Sequence, residues 1–329
     1  LAGVSGNDTL PEYLNQLEKE YSFWMKGAES LPDKSSSAHH SVRLSGGEIL
    51  NRYWDENTTP RPESYLADVE LARQSDQQPE TLYRHLRAAA ESGWDFSSRW
   101  FADETSLRTI QTTEIVPVDV NCLLLNLERT IAEAHQLAGN PEAAQRYQST
   151  AKRRQAAIQK YCWNAERGFY FDFDFVQGKQ KEGMSLAAVF PLVFGIASDK
   201  QAEAVAARIR EGFLKPGGLI CTLRTTGQQW DAPNGWAPLH WMAVVGLENY
   251  GHLELADDIV ERWTKLNTDV FKRTGKLMEK YNVIDTKLEA GGGEYPGQDG
   301  FGWTNGVLLA MLRGLRPKAT RGLQESAKG

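Results

Sequence analysis

The sequence predicts an all-α chain built from helical hairpins in series. Residues 118–138 place Val120, Leu124, Leu127, Ile131 and Ala134 at alternating spacings of four and three, which puts them on one helix face. Gly139, Asn140 and Pro141 then supply a stop, a cap and a first-turn proline for a second helix through Tyr147, Ala151 and Ile158. Strand-like alternation is thin by comparison. It is confined to the aromatic run Phe169–Phe175, read as one β-ribbon, and to a short hairpin after the polar loop in residues 33–52.

The remaining elements follow the same logic. Residues 10–27 and 79–92 are helix candidates ahead of the first hairpin. A second hairpin is expected at 184–197 and 199–214, with Asp199 as the cap of its second helix. A third is expected at 235–250 and 252–273, split at Gly251, and a last helix at 304–315. About nine helices result. No Pro-, Gly- or Ser-rich linker divides the chain and no fixed-period repeat is present, so residues 1–316 read as one domain and 317–329 as a polar, basic tail expected to fray. Helical hairpins in series form either an open solenoid or a closed ring. Three long loops rich in Gly, Trp, Asn and carboxylates favour the ring, with the loops around one mouth.

Composition narrows the functional classes. The chain has 329 residues, 37 Lys plus Arg against 43 Asp plus Glu, and a net charge of -6, which argues against nucleic acid as a partner. An apolar content of 41% with 24% charged residues is that of a globular chain rather than a disordered one. No run approaches the roughly 18 apolar residues of a membrane span. Cys122, Cys162 and Cys221 are too few and too scattered for a disulfide framework, and an odd count leaves at least one thiol unpaired within the chain. The stretch Leu1–Thr9 has neither the basic nor the apolar segment of a signal peptide, so the compartment is not readable from it. Ten Trp, 11 Tyr and 12 Phe serve either a core or the flat faces of sugar rings.

Four segments carry candidate chemistry. In Glu91–Trp100, Gly93 is expected to end a helix and bring backbone into close approach, and Asp95 follows Trp94 directly. A carboxyl against an indole is poorly solvated, which raises its pKa and suits a general acid. A helix cap followed by a core-packing Trp pair fits the same residues equally well. Pro216-Gly217-Gly218 and the run Gln228–Pro238 combine amides, indoles and Asp231 around two prolines, the composition of a sugar subsite. The same run also reads as a capping loop with Asn234 at the N-cap. Met278–Tyr281, Gly291–Pro296 and Gln298–Asn305 form a glycine-rich lid or rim bearing Glu279 and Glu294. Arg61-Pro62-Glu63 is stiffened by its proline, and by itself is as well explained by a surface turn with a salt bridge.

Other chemistries lack their residues. The glycine run has no Gly-Lys-Ser/Thr ending for a phosphate loop, and Asp299-Gly300 lacks the spaced oxygen ligands of an EF-hand. The six histidines (His39, His40, His85, His135, His240, His252) form no HExxH pair and do not cluster with the cysteines. Neither a Gly-x-Ser-x-Gly elbow nor a Gly-x-Gly-x-x-Gly turn occurs.

Taken together, Pro216-Gly217-Gly218 with Gln229–Pro238 resembles the central signature of the trehalases, glycoside hydrolase family 37. Ser92–Trp100, Gly291–Gly306 and Arg61-Pro62-Glu63-Ser64 are similar to three more blocks of that family, in its order, and the likeness extends from about residue 10 to 315. The resemblance implies an (α/α)6 toroid with a deep pocket and inverting hydrolysis of α,α-trehalose to glucose. It assigns the general acid to Asp95 and the general base to Glu279, and sugar contacts to Arg61, Glu63, Gly93 and Glu294, with Trp230 and Trp236 walling the pocket. Glu279, beside Lys280 and a solvated loop, suits the carboxyl that stays ionised. Neither a metal nor a cofactor is implied. The expected partner is the small-molecule substrate alone, with no nucleic acid or membrane, and the chain is expected to be a monomer. A periplasmic location is expected, with a cytosolic one as the alternative.

The sequence departs from the family in one respect. The family's Pro-Gly-Gly-Arg segment and a second arginine-bearing loop are missing, since the only Pro-Gly-Gly here continues into Leu219. On this reading the toroid is incomplete at its N-terminus and residues 1–329 are the C-terminal two thirds of a longer enzyme, inactive or nearly so alone. Two alternatives stand beside it: a non-catalytic helical module that binds carbohydrate or protein, and a toroidal hydrolase of another α-glucoside.

Overall fold

The computed structural model describes residues 7–32, 36–288 and 297–315. Among these residues there are ten α-helices: α1 Leu14–Trp24, α2 Tyr65–Gln74, α3 Pro79–Ser92, α4 Val118–Leu137, α5 Pro141–Cys162, α6 Phe190–Val193, α7 Asp199–Arg208, α8 Ala237–Asn249, α9 Leu253–Thr274 and α10 Gly302–Leu312. Strands among the described residues are two or three residues long. The largest sheets are β1 Ser36–Ala38, β2 Ser41–Arg43 and β3 Ile49–Asn51, antiparallel in that order, and a second set of three described below.

The first hairpin is α4 with α5, packed along their lengths. Its turn forms as the local sequence dictates. Gly139 adopts φ 75°, and the Asn140 side chain accepts from the Ala143 amide at 3.3 Å. Arg154 of α5 locks the pair to β3, donating to Glu128 at 2.9 Å, Asn51 at 2.8 Å and Asn121 at 2.9 Å. The third hairpin is α8 with α9. Helix α8 also packs on α6, and Leu239, Ala243, Val244 and Leu247 are buried along it.

Several expectations need correction. Helix α7 is capped by Ser198, not Asp199. Ser198 accepts from the Gln201 amide, and the Gln201 side chain accepts from the Ser198 amide, so the glutamine three residues on decides between two good capping residues. The helix expected at 184–197 is a 3₁₀ turn, Leu186–Val189, followed by the single turn α6. Asn234 is not the N-cap of α8, which starts at Ala237 with Trp236 at its cap position; Asn234 lies in strand β11 (Asn234–Trp236). The aromatic run is divided between two sheets. Phe169–Tyr170 (β6) pairs with Trp163–Asn164 (β5), whereas Phe173–Asp174 (β7) lies between Ile115–Val116 (β4) and Lys179–Gln180 (β8). Helix α2 was not anticipated. It exposes Tyr65 and Leu66 and turns Asp68 inward, the reverse of an amphipathic pattern. The tail 317–329 lies outside the described residues. Cys122, Cys162 and Cys221 are buried free thiols.

The Pro216-Gly217-Gly218 motif has a packing role. Strand β9 (Leu214–Lys215) pairs with β10 (Gly218–Leu219), and Gly218, at φ 130°, lies so close to His240 that a Cβ there would collide with its Nε2. The ring of His240 accepts from the Leu219 amide at 2.8 Å, hydrogen-bonds the Trp236 carbonyl at 2.8 Å and stacks on Trp263 at 3.8 Å. Burial pushes His240 down to about 4, against the Trp236 carbonyl, which acts the other way. Burial, with Arg52 and Arg84 nearby, pushes His85 to about 4 as well.

These depressed values set an acid limit. The native state takes up protons less readily than the unfolded chain, whose histidines titrate near 6.5. The stability they contribute is therefore fully present above about pH 6.5 and lost as pH falls toward 4. Urea unfolding at pH 7 and pH 5 should show a loss on the order of 2 kcal/mol per histidine. His240→Gln should remove about one such share of the pH dependence, and an unchanged slope would contradict the assignment.

Candidate active site

The site is assembled from the loop after α3, the loop leading into α8, and the strand and turn after α9. The centre of the arrangement is Asp231, fully buried. Its carboxylate accepts from the hydroxyls of Ser97 at 2.9 Å, Ser98 at 2.8 Å, Thr222 at 2.8 Å and Thr226, and from the Ser98 amide at 2.9 Å. Charge-assisted bonds of this kind are the strong ones. They fix residues 97–98, just past Asp95, to the loop that carries Trp230. Asp231 is therefore a structural anchor, its oxygens committed to protein donors rather than to a sugar.

A second anchor holds the other side of the same segment. Arg99 is buried and forks to Asp119 at 2.7 and 2.8 Å and to Asp172 at 2.6 and 2.9 Å. Burial alone would lower its pKa, but the two carboxylates outweigh that and hold it well above its ordinary value. Asp172 also accepts from the Val118 amide at 2.9 Å, so Arg99 ties the segment to the N-terminus of α4. The guanidinium lies 4.7 Å from the Trp94 ring centroid and 4.5 Å from that of Trp100.

Gly93 ends α3 in the left-handed conformation, φ 74°, as expected for a C-cap. A Cβ at Gly93 would meet no protein atom within 4 Å, so within the fold the glycine serves its backbone angle. The chain then turns Trp94 inward and leaves Asp95 half-buried. From Trp94 an indole stack crosses the site. Trp94 and Trp230 are 5.2 Å apart, and Trp230 and Trp236 lie 3.9 Å apart and nearly parallel at 4°. Trp303 of α10 meets Trp230 and Trp236 edge-on, and its indole N–H approaches the Glu279 carbonyl at 3.4 Å.

Strand β11 (Asn234–Trp236) pairs antiparallel with β12 (Lys280–Asn282), with Trp236 opposite Lys280. This register carries Lys280 inward. Its ammonium is 5.3 Å from the Trp236 ring centroid, 3.0 Å from Glu279 Oε2 and 3.0 Å from Gln229 Oε1. The Gln229 amide nitrogen donates in turn to the Asp95 carbonyl. Glu279 is 2% exposed, so the solvated setting expected for it gives way to a buried ion pair. Its amide is held by the Gln298 carbonyl at 2.8 Å.

Among the other candidates, Arg61 is buried. It binds Asp68 through its backbone amide at 2.8 Å and its guanidinium at 2.6 and 3.1 Å, and lies 4.8 Å from the Phe96 ring centroid, one residue from Asp95. Glu63 is exposed in the 3₁₀ turn Pro62–Ser64 that leads into α2, and Glu294 lies outside the described residues. The structure thus draws Asp95, Trp230, Trp236 and Glu279 together, with Arg61 behind Phe96. Sequence reasoning passed over Gln229, Lys280 and Trp303 as site residues. Lys280, between Glu279 and Tyr281, has the look of a surface lysine, and only the β11–β12 register shows otherwise. Among the described residues no group of His, Cys, Asp and Glu is arranged to hold a metal, and no helix is long and apolar enough to cross a membrane.

A family model described as Trehalase matches residues 2–316. The chain belongs to the trehalase family. The periplasmic trehalases of Salmonella newport (strain SL254) and Salmonella paratyphi C (strain RKS4594) are each 48% identical to it over 313 residues, covering 95% of this chain and 55% of theirs. The chain spans about half the length of these curated trehalases. Among solved structures, the neutral trehalase Nth1 from Saccharomyces cerevisiae superposes with a TM-score of 0.69 at 25% identity, covering 96% of this chain and 60% of that one. The fold is the helix-rich α/α toroid of trehalases. Within it Asp231 should behave as an anchor. Asp231→Ala leaves four hydroxyls and an amide without their acceptor and should lower unfolding stability by about 3 kcal/mol or more in urea titrations. A loss below about 1 kcal/mol would contradict that role.

Proposed function

We propose that the protein hydrolyses α,α-trehalose to two glucose molecules with inversion at the attacked carbon. Asp95 is the general acid and Glu279 the general base. Asp95 gives its proton to the glycosidic oxygen as the C–O bond breaks, and one glucose leaves. Glu279 takes a proton from a water that attacks the anomeric carbon from the opposite face. Such a pair needs a gap of roughly 6.5–9.5 Å to seat that water. One observation carries the reading: Asp95 and Glu279, remote in sequence, are joined by the buried Gln229–Lys280 bridge at one indole stack. The 48% identity to proteins named periplasmic trehalases supports both the substrate and a periplasmic location.

On this reading Trp230 and Trp236 belong to the wall of the pocket, and Arg61, Glu63, Gly93 and Glu294 contact hydroxyls. The Asp68 pair fixes one edge of the Arg61 guanidinium and so sets its direction. The proposed steps involve the disaccharide and water, and call on no metal or cofactor.

Glucose release is best measured on the full-length protein carrying this sequence, with trehalose, maltose and sucrose compared. Trehalose should be the preferred substrate. Asp95→Asn and Glu279→Gln should each lower kcat by about 10²- to 10⁴-fold, the usual share of general acid–base catalysis, with small changes in KM. Trehalose binding without glucose release, or two variants that retain wild-type turnover, would overturn the proposal.

A further inference from the structure

We propose that Gln229 and Lys280 are positioning residues that set the distance between the two catalytic carboxyls. The inference rests on the trehalase reading of Asp95 and Glu279 and asks what holds them at a fixed separation. Neither residue need touch the sugar for this role.

Gln229 is 1% exposed, and its side-chain amide is used at both ends. The nitrogen donates to the Asp95 carbonyl and the oxygen accepts from the Lys280 ammonium at 3.0 Å. Only one orientation of the amide satisfies both, because the reverse would point N–H groups at an ammonium and an oxygen at a carbonyl. The backbone of Gln229 is itself fixed. Its carbonyl accepts from Asn234 Nδ2 at 3.1 Å and from Trp236 Nε1 at 2.9 Å. The next residue repeats the clasp, with the Trp230 amide donating to the Phe96 carbonyl at 3.0 Å. The two successive carbonyls of Asp95 and Phe96 are thus held by two successive residues of the α8 loop.

Lys280 completes the span. Its side chain is fully buried, and its ammonium binds Glu279 Oε2 and Gln229 Oε1, each at 3.0 Å. A buried charge is retained only when paired and hydrogen-bonded, and here one ammonium joins the base carboxylate to the amide that grips the acid's backbone. The bridge has no flexible surface segment in it. Inverting hydrolysis tolerates little error in the acid-to-base gap, and a misplacement of about 1 Å can cost about 10²-fold in rate.

The test uses the full-length protein with trehalose as the probe. Gln229→Met keeps the length of the side chain, adds no charge and removes both bonds. It should lower kcat about 10²-fold with KM within about threefold of wild type, since binding is spared and geometry is lost. Lys280→Met should lose at least as much. The double variant should lose about what Lys280→Met loses alone, because both changes cut one bridge. If Lys280→Met fails to fold, Gln229→Met and its thermal midpoint still decide the question. Folded Gln229→Met with kcat within threefold of wild type, or a loss confined to KM, would overturn the proposal. So would losses that multiply in the double variant. A wild-type protein that leaves trehalose uncleaved would instead overturn the trehalase reading, a result separate from each of these.

Discussion

Five hydrogen-bond donors converge on the carboxylate of Asp231, and the placement of the remaining site residues follows from that convergence. Ser97 and Ser98 come from the segment after α3, Thr222 and Thr226 from the loop before α8. A buried carboxylate without partners would be strongly unfavourable, so the two segments must meet at this point for the chain to fold. Once they meet, Trp230 lies against Trp94, and the clasp between residues 229–230 and 95–96 forms with the same register.

The other anchors act on the same segment from different directions. Arg99 holds it to Asp119 and Asp172, and so to the first hairpin, while Gly93 sets the angle at which it leaves α3. The β11–β12 pairing brings Lys280 beneath Trp236 and with it Glu279. His240, stacked on Trp263 and hydrogen-bonded to the Trp236 carbonyl, supports the base of that strand. The candidate acid and base are therefore carried by loop segments that buried polar contacts fasten to the helices and to the β11–β12 pair, which suits chemistry that depends on a fixed gap.

What could be read from the sequence divides along the range of the interactions. The hairpins at Gly139 and Gly251 were legible because caps, stops and apolar spacing are local properties of the chain. The choice of Ser198 over Asp199 was legible in principle, since Gln201 completes the capping box only with Ser198. Helix α2 was not legible, because it exposes Tyr65 and Leu66 and buries Asp68 against Arg61. The Phe169–Phe175 alternation announced strands but not their partners, which lie at 115–116 and 163–164 for its two halves. At the candidate site, Asp95, Trp230, Trp236 and Glu279 stand out in the sequence through the blocks that contain them. The roles of Asp231, Gln229 and Lys280 depend on partners far along the chain, and no spacing rule reports those.

A fold held by buried charges supports the proposed reaction, in which two carboxyls work from opposite faces of one carbon. In that reaction a water, not a protein carboxylate, attacks the carbon. Proton NMR of the first glucose released from α,α-trehalose, read before mutarotation, tests this directly. Inversion at one of two α-linked centres should give equal amounts of β- and α-glucose. Release of the α anomer alone would mean retention at the attacked carbon, and would contradict the roles assigned to Asp95 and Glu279.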